Sequence, residues 1–151
     1  MNLADNLTIE QRRRAMSKVK QRDTAPELIV RSLLHRMGYR FRKNVSSLPS
    51  KPDIVLPKFR AVIFVHGCFW HQHEGCRKSV RPLSNIEFWN QKLDRTMLRD
   101  KRNLEELDTL GWRNTIIWEC QISDREKLAE RLSEFLHKSK KDLMVPSSRQ
   151  S

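Results

Sequence analysis

Apolar residues recur along this chain with two periods, and each change of period marks an element. Val30, Leu33, Leu34 and Met37 follow Thr24-Ala25-Pro26-Glu27 at helical spacing. That spacing predicts a helix with Thr24 as N-cap, Pro26 in its first turn and Gly38 as its stop. Tyr39 and Phe41 then alternate with Arg40 and Arg42, and the run to Val45 reads as an exposed or edge strand. Ser46 to Pro52 is a loop. Asp53-Ile54-Val55-Leu56 and Ala61-Val62-Ile63-Phe64-Val65 are short, nearly continuous apolar runs, the pattern of buried central strands. Ser84-Asn85-Ile86-Glu87 reads as a capping box that opens a long helix ending near Gly111. Asn114-Thr115-Ile116-Ile117-Trp118 is the last strand. A closing helix follows from Ser123 to about Lys138, with Leu128, Leu132, Phe135 and Leu136 inward.

Ahead of these elements, Thr8-Ile9-Glu10-Gln11 opens a short basic helix to about Lys20 that carries Arg12-Arg13-Arg14. The run reads either as a solvated face or as an arm that grips phosphates. The element order is α-α-β-β-β-α-β-α, an α/β sandwich around a mixed sheet. No repeat or linker divides the chain. One domain of 151 residues is expected, with residues 1–22 as a basic arm and 139–151 as a mobile tail.

Charge changes the picture. Thirty lysines and arginines against 18 acids leave a net charge of +12 and a pI near 10.2. That balance points to a polyanionic partner, and nucleic acid fits better than a membrane. No apolar run reaches the length of a membrane span and no apolar signal segment opens the chain, so a cytoplasmic protein is expected. Three cysteines favour metal binding over disulfides in a reducing compartment.

The chemistry gathers after the third strand, in Cys68-Phe69-Trp70-His71-Gln72-His73-Glu74-Gly75-Cys76. Cys68, His73, Cys76 and the distant Cys120 can supply three sulfurs and one nitrogen, a complete tetrahedral set for structural zinc. His71 is then left over as a base, and His66, on the other side of Cys68, can share its cleft. Gly67 would let the backbone turn sharply into this knot. Asp53, at a strand end, is placed either for a divalent ion or for ordinary turn chemistry. Glu27 is the fourth residue of a Thr-x-x-Glu capping box and can also reach the site. Phe69 and Trp70 read as core residues or, between metal ligands, as rigid exposed aromatics.

Four stretches carry a family resemblance. Arg22-Asp23-Thr24-Ala25-Pro26-Glu27, Pro52-Asp53-Ile54-Val55, Val62 through His71 and Trp118-Glu119-Cys120 resemble the very short patch repair (Vsr) endonucleases. The likeness runs from about Arg13 to Cys120, and its His-Gly-Cys-Phe-Trp-His run is highly specific. It implies a restriction-endonuclease-like core with a structural zinc site. It also implies a Mg²⁺-dependent enzyme that nicks one strand 5′ of the T in T:G mismatches, to start short-patch repair. Asp53 and the backbone carbonyl of Val65 would hold the magnesium. His71 would activate water, oriented by Glu27, while His66 would assist at the phosphate and Asp100 would be a further acidic active-site position. Cys68, His73, Cys76 and Cys120 would bind Zn²⁺. Phe69, Trp70 and Trp89 would wedge into the stack, though Trp89 also reads as a core residue of its helix; Met16 would press from the other groove, and Lys92 would read the mismatch.

The partner implied is duplex DNA with a T:G mismatch, together with mismatch-repair proteins and a repair polymerase, and the chain would act as a monomer. Two positions depart from the family pattern: His73 and Cys76 are separated by two residues instead of one, and Thr96 stands in place of asparagine. The rival readings are a nuclease of the same fold with relaxed lesion specificity, and a zinc-dependent DNA-binding module without catalysis.

Overall fold

A computed structural model describes residues 23–138. The basic arm with Arg12 to Arg14 and Met16, and the tail from Ser139, lie outside the described residues. The elements are α1 (Ala25–Arg36), β1 (Arg42–Lys43), β2 (Ile54–Leu56), β3 (Ala61–His66), α2 (Ile86–Thr109), β4 (Arg113–Trp118) and α3 (Arg125–His137). Single 3-10 turns sit at Pro57–Phe59, Arg77–Ser79 and Glu119–Gln121.

The sheet runs β1-β2-β3-β4. The first two pairings are antiparallel and β3 pairs with β4 in parallel, so the sheet is mixed as expected. Parallel neighbours need a long crossover, here the cysteine-rich loop and α2. Side chains alternate across the strands and divide the core into two layers. Ile54, Leu56, Ala61, Ile63, Val65 and Ile117 face one side and pack on Val30, Leu33 and Leu34 of α1 and Leu128, Leu132 and Leu136 of α3. Val55, Val62 and Phe64 face the other side and meet Leu107 of α2. All six residues of β3 are buried, which explains the unbroken apolar run of a strand covered on both faces.

Helix ends follow local chemistry, with corrections. Thr24 caps α1, its hydroxyl accepting from the Glu27 N–H at 3.4 Å. The Glu27 carboxylate reaches back one residue further than a capping box requires, to the Asp23 N–H at 2.8 Å. Gly38 ends the helix at φ 90°, a left-handed backbone that glycine adopts freely. The N-cap of α2 falls one residue beyond Ser84. Asn85 is the N-cap of α2, and its left-handed backbone, φ 55°, leaves α2 without a side-chain cap. An N-cap side chain reaches the first turn from extended backbone. The closing helix starts at Arg125, two residues later than expected, and Asp124 caps it, accepting from the Lys127 N–H at 3.1 Å. The edge strand expected over Tyr39 to Val45 shrinks to two paired residues, because Asn44 turns away at φ 52°.

Candidate active site and metal centre

Strand register builds the metal centre. In the parallel pair β3–β4, His66 lies opposite Trp118. Cys68 and Cys120 each stand two residues beyond those partners, so two adjacent strands deliver them to one level. His73 Nδ1 lies 3.6 Å from Cys68 Sγ and 3.4 Å from Cys120 Sγ. Together with Cys76 the four donor atoms all fall within 4.8 Å of one another. A zinc tetrahedron with bonds of about 2.3 Å to sulfur and about 2.0–2.1 Å to nitrogen has sulfur–nitrogen edges of about 3.6 Å. The donor set and its spacing therefore fit a tetrahedral soft-ligand ion. Burial pushes the Cys68 thiol up to about 12, and a cation among these sulfurs would reverse that cost. The two-residue spacer closes as a turn: the Cys76 N–H donates to the His73 carbonyl at 3.2 Å, with Gly75 left-handed at φ 76°. The His73 ring stacks on Trp118 at 4.2 Å. Gly67 is not the sharp corner that the sequence suggested. Its φ is not left-handed, and an added Cβ would meet only Trp70 Cδ1, at 3.5 Å.

The second cluster forms at the same end of the sheet. Asp53 immediately precedes β2, and its Oδ2 accepts the Val65 N–H at 2.7 Å. Pairing of β2 with β3 stops at Ile54↔Ile63, so Asp53 and Val65 extend past the last ladder pair. A strand residue presents its N–H and C=O to the same edge, so the Val65 carbonyl lies on the Asp53 side. Burial raises Asp53 to about 7; the Val65 N–H opposes this, Glu27 adds to it, and His71 and Arg31 oppose it. One carboxylate and one carbonyl at a strand end are hard oxygen donors of the kind a divalent ion takes.

His71 Nδ1 is hydrogen-bonded to Asp100 Oδ2 at 2.6 Å. With Nδ1 as donor, Nε2 is the free acceptor, the tautomer a general base needs. His66 is 7% exposed and stacks on His71 with centroids 3.7 Å apart and planes within 10°. Burial, then the neighbouring His71, pushes His66 down to about 3, so it is neutral at physiological pH. Its buried Nδ1 has no hydrogen-bond partner among the described residues. One ligand atom from each of His66, His71 and Asp100 falls within 4.8 Å of the other two, so this cluster is a second group that could hold a metal ion.

Two expectations from the resemblance change. Glu27, 3% exposed, does not orient His71; its carboxylate meets the Asp23 N–H and Arg31 Nη2, the latter at 3.5 Å. Asp100 holds the imidazole instead. Trp89, expected in the exposed wedge, is 2% exposed. It is the floor on which half-buried Phe69 and Trp70 rest, at centroid distances of 5.4 and 6.0 Å. Lys92 and Thr96 share one stripe of α2, and the Thr96 hydroxyl donates to the Lys92 carbonyl at 3.1 Å. Sequence reasoning missed Glu119, whose Oε1 accepts the Cys68 N–H at 3.2 Å and pins the loop to the end of β4. Its only signal was adjacency to Cys120.

A profile described as DNA mismatch endonuclease Vsr matches residues 4–78. The DNA mismatch endonuclease Vsr of Escherichia coli K12 is 43% identical over 130 residues, covering 83% of each chain. The chain belongs to the Vsr family. Other members are similar over more of it. The type II nicking enzyme V.XorIIP of Xanthomonas oryzae pv. oryzae is 45% identical over 137 residues, 91% of this chain and 100% of that one. The type II nicking enzyme V.NmeAIP of Neisseria meningitidis is 38% identical over 138 residues, 91% of this chain and 98% of that one. Among solved structures, the catalytic domain of homing endonuclease I-Bth0305I superposes with a TM-score of 0.52 at 22% identity, covering 75% of this chain and 94% of that one. At that identity the likeness is one of fold. It agrees with the mixed α/β architecture described above.

Proposed function

We propose that this member of the Vsr family is a magnesium-dependent DNA endonuclease that nicks one strand 5′ of the T in T:G mismatches, the product of 5-methylcytosine deamination. Family membership makes it a DNA endonuclease; the mismatch, the metal and the residue roles are our reading. The observation that carries them is the His71–Asp100 hydrogen bond, at the same end of the sheet as Asp53, beside a cysteine–histidine knot bearing Phe69 and Trp70. A pure DNA-binding module needs neither a half-buried carboxylate with a raised pKa nor an imidazole held in one tautomer.

Hydrolysis adds water at phosphorus and breaks the bond to the 3′-oxygen, leaving a 3′-hydroxyl and a 5′-phosphate. His71 Nε2 takes the proton from the attacking water, and Asp100 steadies the imidazolium that results. His66, kept neutral by burial, would donate to a phosphate oxygen. Asp53 and the Val65 carbonyl would hold Mg²⁺. When bound, Mg²⁺ supplies charge neutralisation at the phosphate. Basic residues give the sequence-independent grip. Phe69 and Trp70 enter the stack, with Trp89 as their support; unstacking costs a few kcal/mol and least at a mismatch.

No described helix is long and apolar enough to cross a membrane. We place the chain at work on chromosomal DNA in the cytoplasm, as a monomer, handing its nick to mismatch-repair proteins and a repair polymerase. One observation favours a relaxed specificity: Thr96, where the family pattern has asparagine, spends its hydroxyl proton on its own helix. Nicking rates on T:G, U:G and fully paired duplexes separate the readings. Equal rates on T:G and U:G, both above paired DNA, favour the relaxed enzyme.

Two substitutions test the roles. His71→Ala should slow single-turnover nicking by about 10²–10⁴, the range of a lost general base. A change of less than threefold removes His71 from the chemistry. Trp70→Ala should weaken binding to mismatched duplex by about 1–3 kcal/mol, one base–aromatic stack, and leave paired duplex nearly unaffected. Equal losses on both, by titration at fixed salt, make Trp70 a packing residue.

A further inference from the structure

Arg81 is absent from the chemistry above, yet its guanidinium is spread over three oxygen acceptors, with Met97 Sδ 3.7 Å from Nη2 as a fourth, weaker one. Nε donates to Gln72 Oε1 at 2.9 Å, Nη1 to Asn90 Oδ1 at 2.8 Å and Nη2 to Asp94 Oδ1 at 2.7 Å. Its side chain is only 28% exposed. Gln72 passes the connection on, its Nε2 donating to the Phe69 carbonyl at 2.7 Å. Gln72 also has left-handed backbone, φ 53°, a conformation that a non-glycine residue keeps only where its surroundings hold it. An unbroken chain of hydrogen bonds thus runs from α2 through Arg81 and Gln72 to the backbone of the aromatic pair.

We propose that Arg81 is a positioning residue that locks Phe69 and Trp70 to α2, and that this lock sets the preference for mismatched over paired duplex. The inference rests on the wedge reading of Phe69 and Trp70. The knot residues Cys68 and His73 hold the two ends of the segment; Arg81 braces the stretch between them through Gln72. A loose wedge must be ordered when it inserts, and that entropy cost falls on the mismatch complex alone. Binding to paired DNA is ionic and escapes it. Asn90, Asp94 and Met97 share one stripe of α2, while Lys92 and Thr96 lie on the other flank, so the lock stands off the stripe proposed to read DNA. Three directed acceptors suit a rigid guanidinium fork and do not suit an ammonium.

The test uses the full chain as purified with its metal, in wild type, Arg81→Ala and Arg81→Lys. Three quantities are measured: amide hydrogen exchange across residues 69–73 without DNA, metal content, and the ratio of affinities for T:G and paired duplex. Both variants should exchange about tenfold faster across 69–73 at unchanged metal content. Both should lose roughly five- to tenfold of the T:G preference, with Arg81→Lys failing although it keeps the charge. Wild-type exchange in the variants, or full rescue by lysine, overturns the lock. Should Arg81→Ala lose its metal, Asp94→Ala removes one exposed acceptor and must show the same changes at smaller size; wild-type behaviour there overturns the lock. Faster exchange in the variants of a wild type that has no mismatch preference sinks the mismatch reading and leaves the lock standing as a mechanical part. Unchanged exchange in an enzyme that does prefer T:G sinks the lock alone.

Discussion

Asp53→Asn should abolish nicking while binding to T:G duplex survives, and the same change should make the protein more stable. The first effect follows from the proposed oxygen donors: an amide in place of the carboxylate removes the charge that would hold the catalytic ion, whereas DNA grip comes from the lysines and arginines. The second follows from burial. Asp53 titrates near 7 in the fold against 3.8 in the open chain. A raised folded value means that the folded state holds its proton longer between those two pH values. Stability therefore falls as pH rises from about 4 to about 7, and the full penalty persists above that. An asparagine can still accept the Val65 N–H and never ionises. At pH 8, without added divalent cation, the variant should gain on the order of 2–4 kcal/mol, a figure trimmed because the side chain is only half-buried. The gain should vanish near pH 4. Denaturant melts at the two pH values measure this directly. A variant that nicks at the wild-type rate removes Asp53 from the site, and one that is less stable at pH 8 shows that the carboxylate is satisfied by something other than a cation.

Cys120→Ser carries the other large effect. The residue ties the end of β4 to the loop after β3 through a donor set with tetrahedral spacing. A closed structural site contributes its binding energy to folding, so loss of one thiolate should cost on the order of 3–5 kcal/mol, about 10 °C or more in melting temperature for a chain of this size. Zinc should fall well below one equivalent. Wild-type protein purified without chelator and lacking stoichiometric zinc would contradict the assignment, as would a Cys120→Ser variant that melts with the wild type.

The physics of burial made the centre of this fold legible and left its edges less so. Ala61 to Val65 reads as a covered strand because both faces must be apolar, and both are packed. The cysteine–histidine cluster was readable because ligand chemistry needs few residue types. Cys120 joins it through strand register, which spacing along the chain does not carry. The partner of His71 lay beyond residue-level reading for the same reason: Asp100 is 29 residues away and reaches it only when α2 packs over the sheet. Glu27 was mistaken for that partner, since a carboxylate in a first helical turn serves the helix before anything else. Asn85 misled differently, because a capping pattern says nothing about a backbone that tertiary packing twists left-handed. Trp89 read either as part of one wedge with Phe69 and Trp70 or as a core residue of its helix, and its burial favours the second. The three do cluster, but a helix residue that follows the period of Leu93 belongs to the interior, and its partners form the surface. Arg81 and Gln72 gave no sequence signal, as their role exists only in the contact between a loop and a helix.

The most direct measurement is strand-specific nicking of an end-labelled duplex carrying a single T:G pair, set beside the same duplex with T:A, in Mg²⁺ and without divalent cation. The account predicts one product, cut 5′ of the mismatched T and ending in a 5′-phosphate, formed only with Mg²⁺ and far faster on T:G than on T:A. Equal cutting of both duplexes, cutting without a divalent ion, or tight T:G binding with no nick under any metal would contradict it.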